Sequence, residues 1–115
     1  MKFYDSHQSD LGHYFRHLYH ILKFVNNANE ITDDEKFKYT GLIRALLSSF
    51  ELSILFYNCL GEYGKEDFKP LLEKYSMFKN LDSNLLVNQS HLYEYDELAF
   101  ASSKKRQEIF ASRQK

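Results

Sequence analysis

Residues 32–63, TDDEKFKYTGLIRALLSSFELSILFYNCLGEY, decide the fold. Thr32 followed three positions later by Glu35 is a capping-box signature. The hydroxyl accepts from the backbone N–H of the glutamate while the carboxylate returns to the N–H of the threonine. The spacing predicts a helix that opens at Thr32, bends near Gly41 and runs to about Tyr63, with Gly61 and Gly64 supplying the stop. From Leu42 to Leu60 the residues are apolar almost all round, the pattern of a helix buried on several sides. Such a helix needs neighbours, and the flanking sequence supplies them.

Upstream, Leu11, Tyr14, Phe15, Leu18, Ile21, Leu22 and Val25 follow the i, i+3, i+4, i+7 spacing of one helical face. A helix is expected from Leu11 to about Asn27, with Asp10 as its N-cap and residues 1–9 as a flexible N-terminus. Asn26, Asn27 and Asn29 favour a turn after it. Downstream, Lys65 to Phe78 reads as a third helix with Phe68, Leu71, Leu72, Tyr75 and Phe78 on one face and Pro70 near its first turn. Leu85–Val87 and Leu92–Phe100 read as short helical turns. Residues 102–115 carry Lys104, Lys105, Arg106, Arg113 and Lys115 against Glu108, a polar basic tail or a solvated helix. The expected fold is all-α: an antiparallel helical hairpin, a third helix and short C-terminal helical segments, one domain over 10–101.

Composition sets bounds around that reading. The chain has 115 residues, 43% of them hydrophobic and 27% charged, which is ordinary globular usage. Aromatic residues reach 17%, so a small core still buries much area. The formal charge of −1 gives no general pull toward nucleic acid or anionic lipid. One cysteine, Cys59, excludes an intramolecular disulfide, argues against a cysteine-based zinc site and fits a reducing, cytoplasmic setting. The start lacks the apolar core of a signal peptide, and no run of about 18 apolar residues is present to span a membrane. No phosphate loop and no nucleophile elbow occurs.

Two sets of polar residues stand out. His13, Arg16, His17 and His20 lie off the apolar face of the first helix. The three imidazoles fall within about 60° of each other, but His13 and His20 are about 10 Å apart along the axis, which disfavours one metal centre. Arg44, Ser48, Glu51 and Asn58 form a stripe on the otherwise apolar second helix, where an unpaired charge is costly. An antiparallel hairpin sets His17 beside Arg44 and His13 beside Ser48. Arg16, His20, Arg44, Ser48 and Glu51 are then expected to gather into one polar cluster. It serves either as a network fixing helix register or as an acid–base site.

The run Gly12-His13-Tyr14-Phe15-Arg16-His17-Leu18-Tyr19-His20-Ile21-Leu22-Lys23-Phe24 resembles the signature of phage abortive infection (AbiC-like) proteins. So does Leu42-Ile43-Arg44-Ala45-Leu46-Leu47-Ser48-Ser49-Phe50-Glu51-Leu52, followed by Leu55-Phe56-Tyr57-Asn58. The order and spacing of the two segments agree, and the likeness covers about residues 10 to 82. It implies an anti-phage role as a sensor, assembly or effector module, with a protein partner or a second copy and no cofactor. Relatives carry transmembrane helices ahead of this domain, so a soluble member or the C-terminal domain of an anchored protein is expected. The alternative it raises is a metal-independent ribonuclease of the HEPN class acting on RNA. There Arg16 would steady the scissile phosphate and His20 would be the general acid and base. Its R-x3-H spacing is one residue short of that class.

Overall fold

The computed structural model describes residues 2–61 and 64–114, with side chains from residue 12 onward. Five α-helices follow in order: α1 (Lys2–Asn27), α2 (Asp33–Ala45), α3 (Ser49–Asn58), α4 (Phe68–Lys74) and α5 (Ser103–Arg113). Short 3-10 turns at Ser83–Leu85, Gln89–Glu94 and Glu97–Phe100 link α4 to α5, and no strand occurs among the described residues. The all-α expectation holds.

Helix α1 begins at Lys2 rather than Leu11, so Asp10 lies inside the helix and does not cap it. Phe15, Leu18 and Leu22 face the core, at 3%, 5% and 0% exposure. The expected apolar face is wider than the buried one: Tyr14 and Ile21 remain exposed. After the short link 28–32, α2 returns along α1, and Lys36 Nζ donates to the Asn26 carbonyl at 2.8 Å. That contact sets the hairpin register close to the one the sequence predicts. The Thr32 capping box is complete, with Glu35 N to Thr32 Oγ1 at 3.2 Å and Thr32 N to Glu35 Oε1 at 3.1 Å.

The long second helix is two helices. It breaks at Leu46–Ser48, and the axes of α2 and α3 differ by 112°. The physical reason is a second capping box. Ser48 Oγ accepts from Glu51 N at 3.1 Å, and Glu51 Oε1 accepts from Ser48 N at 3.0 Å. N–H groups at the start of a helix lack acceptors within it, and this box supplies two for α3, at Ser48 and Glu51. The bend falls there and not at Gly41. Helix α3 ends at Asn58, and Tyr63, the expected end, lies outside the described residues. Only α3 is buried on several sides, through Leu52, Ser53, Leu55 and Phe56. Leu42 and Leu46 of the same apolar run stay in solvent, as does Phe50.

Helix α4 is shorter than expected, and Pro70 sits in its first turn. It ends in a Schellman-type turn: Met77 N donates to Leu72 O at 3.0 Å and Ser76 N to Glu73 O at 3.3 Å. The left-handed position, usually glycine, is Ser76 with φ 52°. The turn carries Phe78 into the core although the helix has ended. Phe56 and Phe78 are 0% and 1% exposed and pack with Tyr95, whose hydroxyl donates to the Phe56 carbonyl at 2.7 Å. Each such buried aromatic ring contributes roughly 1.5–3 kcal/mol.

Residues 103–113 form a docked helix rather than a loose tail. Ile109 is buried against Leu98 and Ala101. Arg113 pairs with Asp96 at 2.7 Å. Arg106 donates to the Lys74 carbonyl and, at 2.9 Å, to Ser76 Oγ.

Candidate functional site

The polar residues singled out by sequence do not converge on one point. Ser48 and Glu51 are occupied with each other as the α3 cap. Arg44 turns to the end of α4, making long hydrogen bonds of 3.5 Å to Tyr75 O and 3.4 Å to Ser76 O. Its guanidinium lies over Phe37 at 5.6 Å. Burial pushes the Arg44 pKa down. The charge still suits its place, because the last carbonyls of a helix carry partial negative charge. Arg44 is therefore a tie between α2 and α4, and the expected Arg44–His17 contact is replaced by this one.

On α1, His13 and His17 are exposed and meet edge to face, Nε2 to Nε2 at 3.0 Å. His20 is exposed and lies against Tyr19, ring centroids 5.3 Å apart. Among the described residues no group of three His, Cys, Asp or Glu side chains is placed to hold a metal ion. Glu51 does reach α1 electrostatically. The Tyr14 hydroxyl is pushed up by burial first and by the Glu51 charge second. The predicted cluster thus survives only as the Ser48–Glu51 pair with Tyr14 nearby.

Arg16 and Asn58 are brought together, in a groove that sequence reasoning missed. It has a volume of about 900 Å³ and runs between α1, α3 and the start of α4. Phe15, Tyr19, Ile54, Tyr57 and Phe68 line it, with Arg16, Asn58 and Asp67 among its polar groups. Its size falls in the range of ligand sites. Tyr19 and Phe68 meet at 5.4 Å, closing one wall. Tyr57 is fixed at both sides of its hydroxyl, which accepts from Val87 N at 2.9 Å and bonds His91 Nδ1 at 2.8 Å. The signal available in the sequence was the i, i+3 placement of Arg16 and Tyr19 on one side of α1. Nothing local announced Asp67 or Phe68 as their neighbours.

Other groups are chemically quiet. The Cys59 thiol is fully buried and pushed up to about 12 by burial, so it is neither thiolate nor nucleophile at neutral pH. Burial first, with the Glu73 charge adding to it, raises the Tyr95 hydroxyl. No single described helix is long and apolar enough to cross a membrane.

No curated protein matches the chain, and no solved structure does. A family profile described as putative phage abortive infection protein matches residues 6–85. That span holds most of α1, all of α2 to α4, the Ser48 corner and most of the groove wall. It stops short of Tyr95, Leu98 and α5, which complete the core. By that match the chain belongs to the phage abortive infection protein family.

Proposed function

We propose that this chain serves phage defence as an assembly module, associating with a second copy of itself through the outer face of the α1–α2 hairpin. One observation carries this reading. Tyr14, Ile21 and Phe24 on α1, and Tyr39, Leu42 and Leu46 on α2, are exposed at 41%, 47%, 78%, 47%, 69% and 79%. At about 100° per residue, Tyr14 and Ile21 share one flank of α1, and Tyr39, Leu42 and Leu46 one flank of α2. Lys36, which reaches the Asn26 carbonyl, marks the side of α2 turned to α1.

Large apolar side chains exposed in this number on one hairpin mark an interaction surface. A two-fold rotation would set this face against the same face of a second copy. Of the polar stripe, Ser48 and Glu51 are engaged in capping and Arg44 in holding α4. Nothing in the fold or the family match favours the ribonuclease alternative through Arg16 and His20. The buried thiol suits a reducing cytoplasm.

Sedimentation equilibrium tests the reading. The wild-type chain is expected to dimerise at micromolar concentration, and Leu42→Asp with Leu46→Asp to be monomeric with an unchanged Tm. A monomeric wild type at high concentration overturns it. Plaque counts on cells expressing both forms at equal protein level then show whether assembly is needed for protection.

A further inference from the structure

We infer that the groove between α1, α3 and the start of α4 is a docking site for an apolar peptide segment, with the free C-terminal carboxylate of that peptide held by Arg16. The groove floor is apolar, built from Phe15, Ile54 and Phe68, with Tyr19 and Tyr57 as walls. Such a surface takes aliphatic or aromatic side chains.

The polar groups sort into two kinds. Ser53 and Tyr57 are already engaged: Ser53 Oγ donates to Phe50 O at 2.6 Å, and Tyr57 holds Val87 N and His91. Among the described residues the side chains of Arg16, Asn58 and Asp67 make no hydrogen bond, and Asp67 leaves its helix uncapped. These three define what the occupant must offer. The Arg16 guanidinium presents a planar fork of N–H donors, the complement of a carboxylate. The Asn58 carboxamide gives one donating and one accepting edge, the complement of a peptide unit and of nothing on a plain acyl chain. Asp67 repels a second carboxylate and accepts from an N–H, which gives the bound segment a direction. An apolar body, an amide and one terminal anion together describe a peptide C-terminus.

The test uses the full chain and an array of synthetic tetrapeptides. Their last three positions are drawn from Leu, Val and Phe, and each peptide is made as the free acid and as the C-terminal amide. A subset of free acids is expected to bind, and their amides to bind about tenfold or more weaker, the loss of one charge-assisted bond. Arg16→Gln should weaken the same peptides to the level of the amides without changing Tm, while His20→Ala should leave them bound. Three results overturn the proposal. No free acid outbinds its amide; or Arg16→Gln binds as the wild type does; or dodecanoate displaces the peptides at equal concentration, which makes the groove an acyl carboxylate site instead.

Discussion

The guanidinium of Arg106 lies over the ring of Phe37 at 4.1 Å, joining the last helix to the second. The same side chain donates to Ser76 Oγ and to the carbonyl of Lys74. Burial, and then the nearby charge of Arg44, pushes its pKa down. Arg106→Ala removes the ring contact and both bonds, and is expected to destabilise the fold by roughly 2 kcal/mol. Urea denaturation measures the loss. Hydrogen exchange should show α5 losing protection before α3. Equal loss in both would mean that α5 does not unfold apart from the core.

Glu51 separates two accounts of the polar stripe. Loss of one partner of a buried ion pair would cost about 3–5 kcal/mol. Loss of a capping-box member costs about 1 kcal/mol. Glu51→Ala is therefore expected to fall near Glu35→Ala in denaturant unfolding, since both residues fill the same role. A far larger cost for Glu51 than for Glu35 would contradict the capping role.

Ser76 tests backbone against side chain. Its φ of 52° costs an L-residue roughly 1 kcal/mol, which glycine would not pay. Its hydroxyl, fully buried, donates to Leu98 O at 2.6 Å and accepts from Arg106. Ser76→Ala keeps the strain and loses both bonds. Ser76→Gly relieves the strain and loses the same bonds. The expected stability order is wild type, then glycine, then alanine, with about 1 kcal/mol between the two variants. Alanine equal to glycine would show that the turn is not strained.

Asp96 gives the acid limb of stability a specific origin. Burial pushes its carboxyl up, but the Leu98 N–H and then Arg113 together hold it below its ordinary value of 3.8. A carboxyl lowered on folding stabilises the protein above its unfolded pKa. That contribution disappears as pH falls through the folded value. Asp96→Asn should therefore flatten the fall of Tm below pH 4, at the expense of a lower Tm at pH 7. An unchanged acid limb would place the acid sensitivity elsewhere.

The span matched by the family profile should not fold alone. A chain ending at residue 85 lacks Tyr95, whose hydroxyl meets the Phe56 carbonyl, and Ala99, whose carbonyl accepts from Phe78 N at 3.0 Å. It is expected to show no cooperative thermal transition by circular dichroism. The same chain carried on to residue 114 should show one. A sharp transition in the shorter chain would make the last segment an accessory.

What was legible in the sequence was local. The spacing of Phe15, Leu18 and Leu22 marks the buried line of α1, and Thr32-x-x-Glu35 marks the start of α2. Ser48-x-x-Glu51 carries the same signature and marks a helix start as plainly. The apolar run across it masks the break, because hydrophobic periodicity does not stop where Leu42 and Leu46 face solvent and Leu52 and Leu55 face the core. The destination of Arg44 was beyond reach for a different reason. Its acceptors at Tyr75 and Ser76 exist only once α4 ends in a left-handed turn, and no pattern near Arg44 encodes that. The groove is of the same kind, since Phe68 meets Tyr19, and Asp67 shares a lining with Arg16, through tertiary packing alone.

The right-angled corner at Ser48 divides the chain's mutational landscape. Upstream, substitutions at the exposed Leu42 and Leu46 are expected to alter association and leave the melting point alone. Downstream, substitutions at Leu52, Leu55 and Phe56 alter whether there is a molecule to meet anything. A saturation scan read by both abundance and phage resistance should therefore change character within a few residues. The two readouts should diverge at Leu42 and Leu46 and coincide at Leu52, Leu55 and Phe56.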